Sequence, residues 1–181
     1  MKNWQHAVPK RRLALCLTIA LAALAPISGI AQTDSVPRMS RAQAVDAVQV
    51  LTAWLECDEC DPAKLKAVSR FGQSILPSLV ATLNGGLSNA TREMLRDGLG
   101  RRYDRLMAQA QSNPKMEMRS GKDEFIQRYQ FSLDAQYRIR AAQALAAIGG
   151  AKSRQALEAA HDKAERAEVR MAIKQSLDKI R

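Results

Sequence analysis

The chain is short of the residues from which most catalytic and metal sites are assembled. Its 181 residues hold two histidines, three cysteines and, among the aromatics, two tryptophans, three tyrosines and three phenylalanines. It also lacks an apolar run of the roughly 20 residues that a membrane-spanning helix needs. The longest candidate, Leu13–Ala25, follows the basic start MKNWQHAVPKRR and precedes Pro26, Ser28 and the small-residue triplet Gly29-Ile30-Ala31. A basic segment, a short apolar core and small residues are the three parts of a secretory signal peptide, so residues 1–31 are expected to be a leader cleaved after Ala31. A lipoprotein leader built on Cys16 is set aside, because little hydrophobic sequence precedes that cysteine and Leu15 is not the small residue such a site uses.

Cleavage deepens the shortage. His6 and Cys16 leave with the leader, and the remaining 150 residues, 32 to 181, keep one histidine and two cysteines. That length suffices for one domain with a substantial core. A single histidine, His161, excludes a multi-histidine metal site and leaves acid–base chemistry to it or to carboxylates. His161 stands beside Asp162 and Lys163 at the end of a helical segment, where a histidine makes a favourable charge–dipole contact. Glu158 and Glu165 lie nearby without any spacing that marks a catalytic pair. The leader carries four of the 28 basic residues and none of the 18 acidic ones, so the net charge falls from +10 to +6.

No segment alternates with period two, so no strand is expected, whereas helical periodicity is frequent. Gln32–Met39 is polar, contains Pro37 and reads as a flexible lead-in to a helical domain over residues 40–181. Ser40 is a plausible N-cap for a helix carrying Ala44, Val48, Leu51, Trp54 and Leu55 on one stripe. Trp54, the tryptophan left after cleavage, reads as a core aromatic. Asp61 and Pro62 suit the start of a second helix, whose Leu65, Val68 and Phe71 face inward up to Gly72. Ile75, Leu76, Leu79, Val80 and Leu83 form the next apolar face, ending at Asn84-Gly85-Gly86. A longer helix is expected from Asn89 to Ala110, followed by a loop at Gln111–Lys122 long enough to be functional. Phe125 to Leu133 predicts a further helix, with Asp134 capping another over Tyr137–Ile148. Ser153–Lys163 and Glu168–Ile180 predict two more.

The segment YRIRAAQALAAIGG (Tyr137–Gly150) repeats. At an offset of 32 residues Arg138 falls on Arg170, Leu145 on Leu177 and Ile148 on Ile180. Val68–Leu83, VSRFGQSILPSLVATL, supplies another part of the unit, an apolar residue and glycine followed by a proline that opens a helix. A helix-pair period in the low thirties marks a solenoid. Small residues on the shared face let helices approach closely, and glycine suits the left-handed exit from a helix. On RIRAAQALAAIGG, EVRMAIKQSLDKI and FGQSILPSLVATL, the chain resembles the HEAT family, in particular the short bacterial HEAT-like repeats also found in phycobilin lyases. The likeness covers roughly Ala63–Leu83 and Tyr137–Ile180. It implies an all-α fold, an α-α superhelix of about eight helices with no sheet, that presents a surface to another protein. It transfers no catalytic residue, and bilin lyase activity would rest on the resemblance alone.

Two features depart from the repeat. Cys57-x-x-Cys60 lies at a helix junction with its sulfurs within bonding reach, and two cysteines in an exported chain point to a disulfide. Glu56, Asp58, Glu59 and Asp61 surround the pair with negative charge that raises a thiol pKa, which favours a structural bond over a reactive thiolate. Metal binding at the same place would lack a third and a fourth soft ligand. The second feature is the helix bearing Arg92, Arg96, Arg101, Arg102 and Arg105. Glu93, Asp97 and Asp104 interleave with them, so the face is either a solvated salt-bridged surface or a surface for an anionic partner. An exported chain would meet anionic lipid, cell-wall polymer or an acidic protein rather than nucleic acid. The sequence therefore points to a non-catalytic binding or scaffold protein of the bacterial envelope, with no cofactor and with no membrane span after leader cleavage. Its partner would be another envelope protein. The alternative is a periplasmic thiol–disulfide or metal-handling protein that uses Cys57 and Cys60.

Overall fold

Helix signals dominate the sequence, and helices account for the structure. The computed structural model describes residues 39–57, 59–113 and 119–180, all within the unit Ser35–Arg181. The expected leader over residues 1–31, and the lead-in as far as residue 38, lie outside the described residues. The elements are α1 (Arg41–Leu55), α2 (Pro62–Ser69), a 3-10 turn (Gly72–Ile75), α3 (Leu76–Gly85), α4 (Asn89–Ser112), α5 (Lys122–Ile148), α6 (Gly150–His161) and α7 (Ala167–Lys179). The fold is all-α, and no strand occurs among the described residues. None of the described helices is long and apolar enough to cross a membrane.

Local chemistry sets the helix ends. Ser40 closes a capping box with Gln43 at the start of α1: the Gln43 N–H donates to Ser40 Oγ at 3.3 Å, and the Ser40 N–H donates to Gln43 Oε1 at 2.9 Å. Asp61 caps α2 through the Ala63 N–H at 2.8 Å, with Pro62 in the first turn. Such caps satisfy amide donors that have no intrahelical partner. Gly86, at φ +65°, takes the chain out of α3 in a conformation that glycine alone adopts easily.

One expectation is corrected. The two helices assigned to Phe125–Leu133 and Tyr137–Ile148 are a single 27-residue helix, α5, and Asp134 is not a cap. Nothing between Leu133 and Tyr137 breaks a helix, and the Asp134 carboxylate is directed sideways into tertiary contacts instead of back to the main chain.

α5 is the axis of the domain, packing against α1, α2, α3, α4, α6 and α7. A helix surrounded on all sides must be apolar all round and narrow where partners come close. Its second half is narrow where partners come close, with Ala141, Ala142, Ala144 and Leu145 entirely buried. Val68, Leu79, Leu83, Leu157 and Ile173 complete the centre of the core. Each buried aliphatic side chain of this size contributes roughly 2 kcal/mol of hydrophobic stabilisation.

The core cluster draws on α1, α2, α3, α6, α7 and α5 from Ala135 onward, and no residue of α4 belongs to it. α4 packs instead on the first half of α5, where Leu99 and Ile126 are buried. Tyr103, Phe125 and Tyr129 stack there with ring centroids 5.5 and 4.7 Å apart. The two helices form an arm with its own small set of apolar contacts.

Candidate functional site

The residues singled out in the sequence lie chiefly in three places: the corner between α1 and α2, the turn between α3 and α4, and the outer face of the arm.

At the corner, Cys57 and Cys60 form a disulfide with their Cα atoms 5.3 Å apart. So short a loop removes little chain entropy, and the bond contributes about 2 kcal/mol on that account. Side chains from α5 hold the corner in place. Trp54 Nε1 donates to the Arg140 carbonyl at 2.9 Å, and the Arg140 guanidinium donates back to the Leu55 carbonyl at the end of α1. The Tyr137 hydroxyl donates to Glu56 Oε1 at 3.1 Å. Trp54 is 3% exposed, the core aromatic its spacing implied. The sulfurs are unequally placed, because Cys57 is buried in the core cluster and Cys60 is exposed.

Burial, reinforced by the Glu56 carboxylate, pushes the Tyr137 hydroxyl well above its ordinary pKa. The phenolate is therefore disfavoured in the folded chain and ionises first in the unfolded one, near the usual value of about 10. This contribution to stability is complete below pH 10 and is lost as pH rises toward the folded value. Urea titrations from pH 9 upward are expected to show a declining midpoint for the wild type and a flatter decline for Tyr137→Phe. Parallel profiles would exclude Tyr137 as the cause.

The turn between α3 and α4 is clamped to α5 by Asp134. Its Oδ1 accepts from Arg92 Nη2 at 2.6 Å and from the Leu87 N–H at 3.1 Å, while Oδ2 accepts from Arg138 Nε at 2.8 Å. Arg92 also donates to the carbonyls of Leu87 (3.1 Å) and Gly85 (3.3 Å), and Gln130 Nε2 donates to the Arg92 carbonyl at 2.6 Å. Sequence reasoning missed this network, although the i,i+4 order of Asp134 and Arg138 and the pair Gly85-Gly86 were visible. What it could not supply was Arg92, which lies 42 residues from Asp134.

That engagement divides the five arginines. The Arg92 guanidinium is committed to the turn and does not belong to an open surface. Arg102 lies 5.5 Å over the Tyr129 ring. Arg96, Arg101 and Arg105 are exposed, and no carboxylate of the described residues forms an ion pair with them. Arg96 and Arg101 border a shallow cleft of about 390 Å³ between α4 and α5, together with Asp97, Gly100, Asp104, Lys122, Asp123 and Ile126. Lys122 Nζ bonds both Asp104 oxygens at 2.9 and 2.8 Å across the cleft, and Asp97 and Asp123 line it beside the two arginines. Of the Gln111–Lys122 loop, residues 114–118 lie outside the described residues. Its far end is tied down by Tyr103, whose hydroxyl donates to the Ser120 carbonyl at 3.0 Å.

His161 is the last residue of α6, with Nδ1 3.3 Å from Asp162 Oδ1. Glu158 faces Arg154 at 4.0 Å, one helical turn away. Among the described residues no group of three or more histidine, cysteine, aspartate or glutamate side chains is placed to hold a metal. Comparisons with family models, with curated proteins and with solved structures find no match for this chain.

Proposed function

We propose that this chain is an exported HEAT-like repeat protein that binds another envelope protein without catalysis, and that its arm carries the binding surface. Three features of the packing support a repeat arrangement. α2 packs on α5, and α5 packs on α7, as a first row of helices; α3 packs on α6 as a second row; and α3 with α5, α5 with α6 and α6 with α7 pack across the rows. The residues brought together in that way include those of the sequence repeat, Leu145 and Ile180 among them. α4 and the first half of α5 interrupt the pattern as an insertion.

The single observation that carries the binding role is the set Arg96, Arg101 and Arg105. Three exposed guanidiniums on one helix, without an ion pair to a carboxylate of the described residues, supply an electrostatic footprint for an acidic surface. Being exposed, they are replaceable with stability changes within about 0.5 kcal/mol each. The full chain carrying Arg96→Glu, Arg101→Glu and Arg105→Glu should therefore melt like the wild type. It should also recover at least about tenfold less partner from envelope extract at low salt, since rim charges govern encounter. Failure of the wild type to recover a partner at any salt concentration would count against the binding role. Full recovery by the triple variant would move the surface elsewhere on the domain.

A further inference from the structure

The disulfide corner has a chemical polarity that the binding role does not use. Cys57 Sγ lies in the core with Trp54 and Leu55, at 4% residue exposure, whereas Cys60 is exposed just ahead of the α2 cap. Thiol–disulfide exchange requires in-line approach of a thiolate to one sulfur, and access selects which sulfur is attacked. An external thiolate can reach the exposed Cys60 from solvent, while Cys57 is buried within the core cluster. The corner is held against opening, since Trp54, Leu55 and Glu56 are each hydrogen-bonded to α5.

We infer that Cys60 is the site at which an external thiol–disulfide partner joins this chain, and that Cys57 is always the departing or resolving sulfur. In the opening direction the thiolate R–S⁻ attacks Cys60 Sγ, and a new R–S–Sγ bond forms there. The Cys57–Cys60 bond breaks, and its electron pair stays on Cys57 Sγ, which takes a proton from water. The thiol so formed finds an acceptor in place, the Trp54 carbonyl, 3.0 Å from Cys57 Sγ. In the closing direction the Cys60 thiolate attacks a partner disulfide and releases one thiolate. Cys57 thiolate then attacks Cys60 Sγ and expels the second. Each step exchanges one disulfide for another, so the partner disulfide is the only oxidant required.

The surroundings of Cys60 also define the partner's charge. Glu56, Glu59 and Asp61 are exposed beside the pair in the sequence. Lys64, on the first turn of α2, is the nearest exposed cation in sequence. An approaching thiolate therefore meets an acidic rim, and a partner with basic residues beside its reactive cysteine fits it.

The test uses the full chain with adducts assigned by peptide mass mapping, so that Cys16 is distinguished. Wild-type protein is treated briefly with cysteamine and quenched in acid, and the mixed disulfide is expected on Cys60. An adduct on Cys57, or an even division, overturns the inference. Cys57→Ser and Cys60→Ser each keep one thiol of the pair. With oxidised glutathione, Cys60 in the first variant should react at least about tenfold faster than Cys57 in the second, because Cys57 reacts only after local opening. The difference should vanish in denaturing urea; equal rates in native buffer overturn the inference, and the wild-type mapping holds whether or not either variant folds. Normalised to thiolate concentration, cysteamine should open the wild-type bond about fivefold faster than 2-mercaptoethanesulfonate at low salt, and the gap should close at high salt. Equal rates at low salt overturn the assignment of a basic partner.

Discussion

Replacing Leu145 by alanine is expected to lower the unfolding free energy by about 3–4 kcal/mol, a large fraction of what a domain of this size possesses. Leu145 is fully buried on α5, the helix that every other helix touches. The cost of such a truncation is the lost transfer energy plus the cavity left behind, and the cavity term depends on how readily neighbours collapse. Here they collapse poorly. Ala141, Ala142 and Ala144 on the same helix are fully buried and have no side-chain length with which to fill a void. Leu79, Leu83, Leu157 and Ile173 are already committed elsewhere in the core. The repeat supplies the control. Leu177 occupies the equivalent position one unit later but is only partly buried, because α7 has fewer neighbours than α5. Leu177→Ala should cost about half as much. Urea unfolding followed by circular dichroism measures both, with the denaturant slope unchanged if only native packing is affected. A Leu145→Ala cost below about 1.5 kcal/mol, or one equal to that of Leu177→Ala, would mean that the two positions are interchangeable and that α5 is not the axis of the core.

That comparison also marks how far the sequence could be read. Local signals were legible because they act within one turn of a helix. Ser40 caps α1, Asp61 and Pro62 open α2, and Gly86 and Gly149 leave their helices at positive φ. The stripe Leu79 and Leu83 is buried where its spacing put it. The pairing of Cys57 with Cys60 was likewise a local inference. Asp134 misled because its residue type has two uses, and spacing alone does not distinguish them. An aspartate ahead of an apolar stripe caps a helix, but one inside a continuous helix is retained when distant cations satisfy it. One of its two cations, Arg138, lies a turn further along α5, but the other, Arg92, comes from a different helix. For the same reason five arginines that share one helix in the sequence have separate fates in the structure. Arg92 turns to the clamp and Arg102 to the Tyr129 ring, and only Arg96, Arg101 and Arg105 stand as a set facing solvent without an ion pair. Composition and periodicity reach the fold class and the core, whereas a site assembled by side chains 40 or more residues apart is decided by tertiary geometry.

The clamp predicts the second large effect, and it is a coupling between two positions. A Cβ added at Gly86 would overlap Asp134 Oδ1 and lie 2.6 Å from Oδ2, closer than any tolerated contact. Gly86 also has φ +65° and ψ −129°, a backbone region costly for any residue with a side chain. Gly86→Ala therefore carries two penalties, the backbone strain and the expulsion of the carboxylate from its place between Arg92, Arg138 and the Leu87 N–H. A total near 4 kcal/mol is expected, since strain at such a position costs about 1–3 kcal/mol and loss of a partly buried, hydrogen-bonded charge network a comparable amount. Asp134→Ala alone should cost about 2–3 kcal/mol. The Leu87 N–H loses its side-chain acceptor beside a buried residue, while the two partly exposed arginines recover water. In the double variant the carboxylate that the added methyl group would strike is already gone, and only the backbone strain is added. The combined loss should fall short of the sum of the single losses by about 1.5 kcal/mol, well beyond the roughly 0.5 kcal/mol scatter of independent sites. Because the clamp fastens the α3–α4 turn and not the main core, amide exchange should accelerate first in α4, with the second half of α5 still protected. Additive losses would show that Gly86 and Asp134 do not share the close contact, and uniform loss of protection would show that the arm and the core unfold as one.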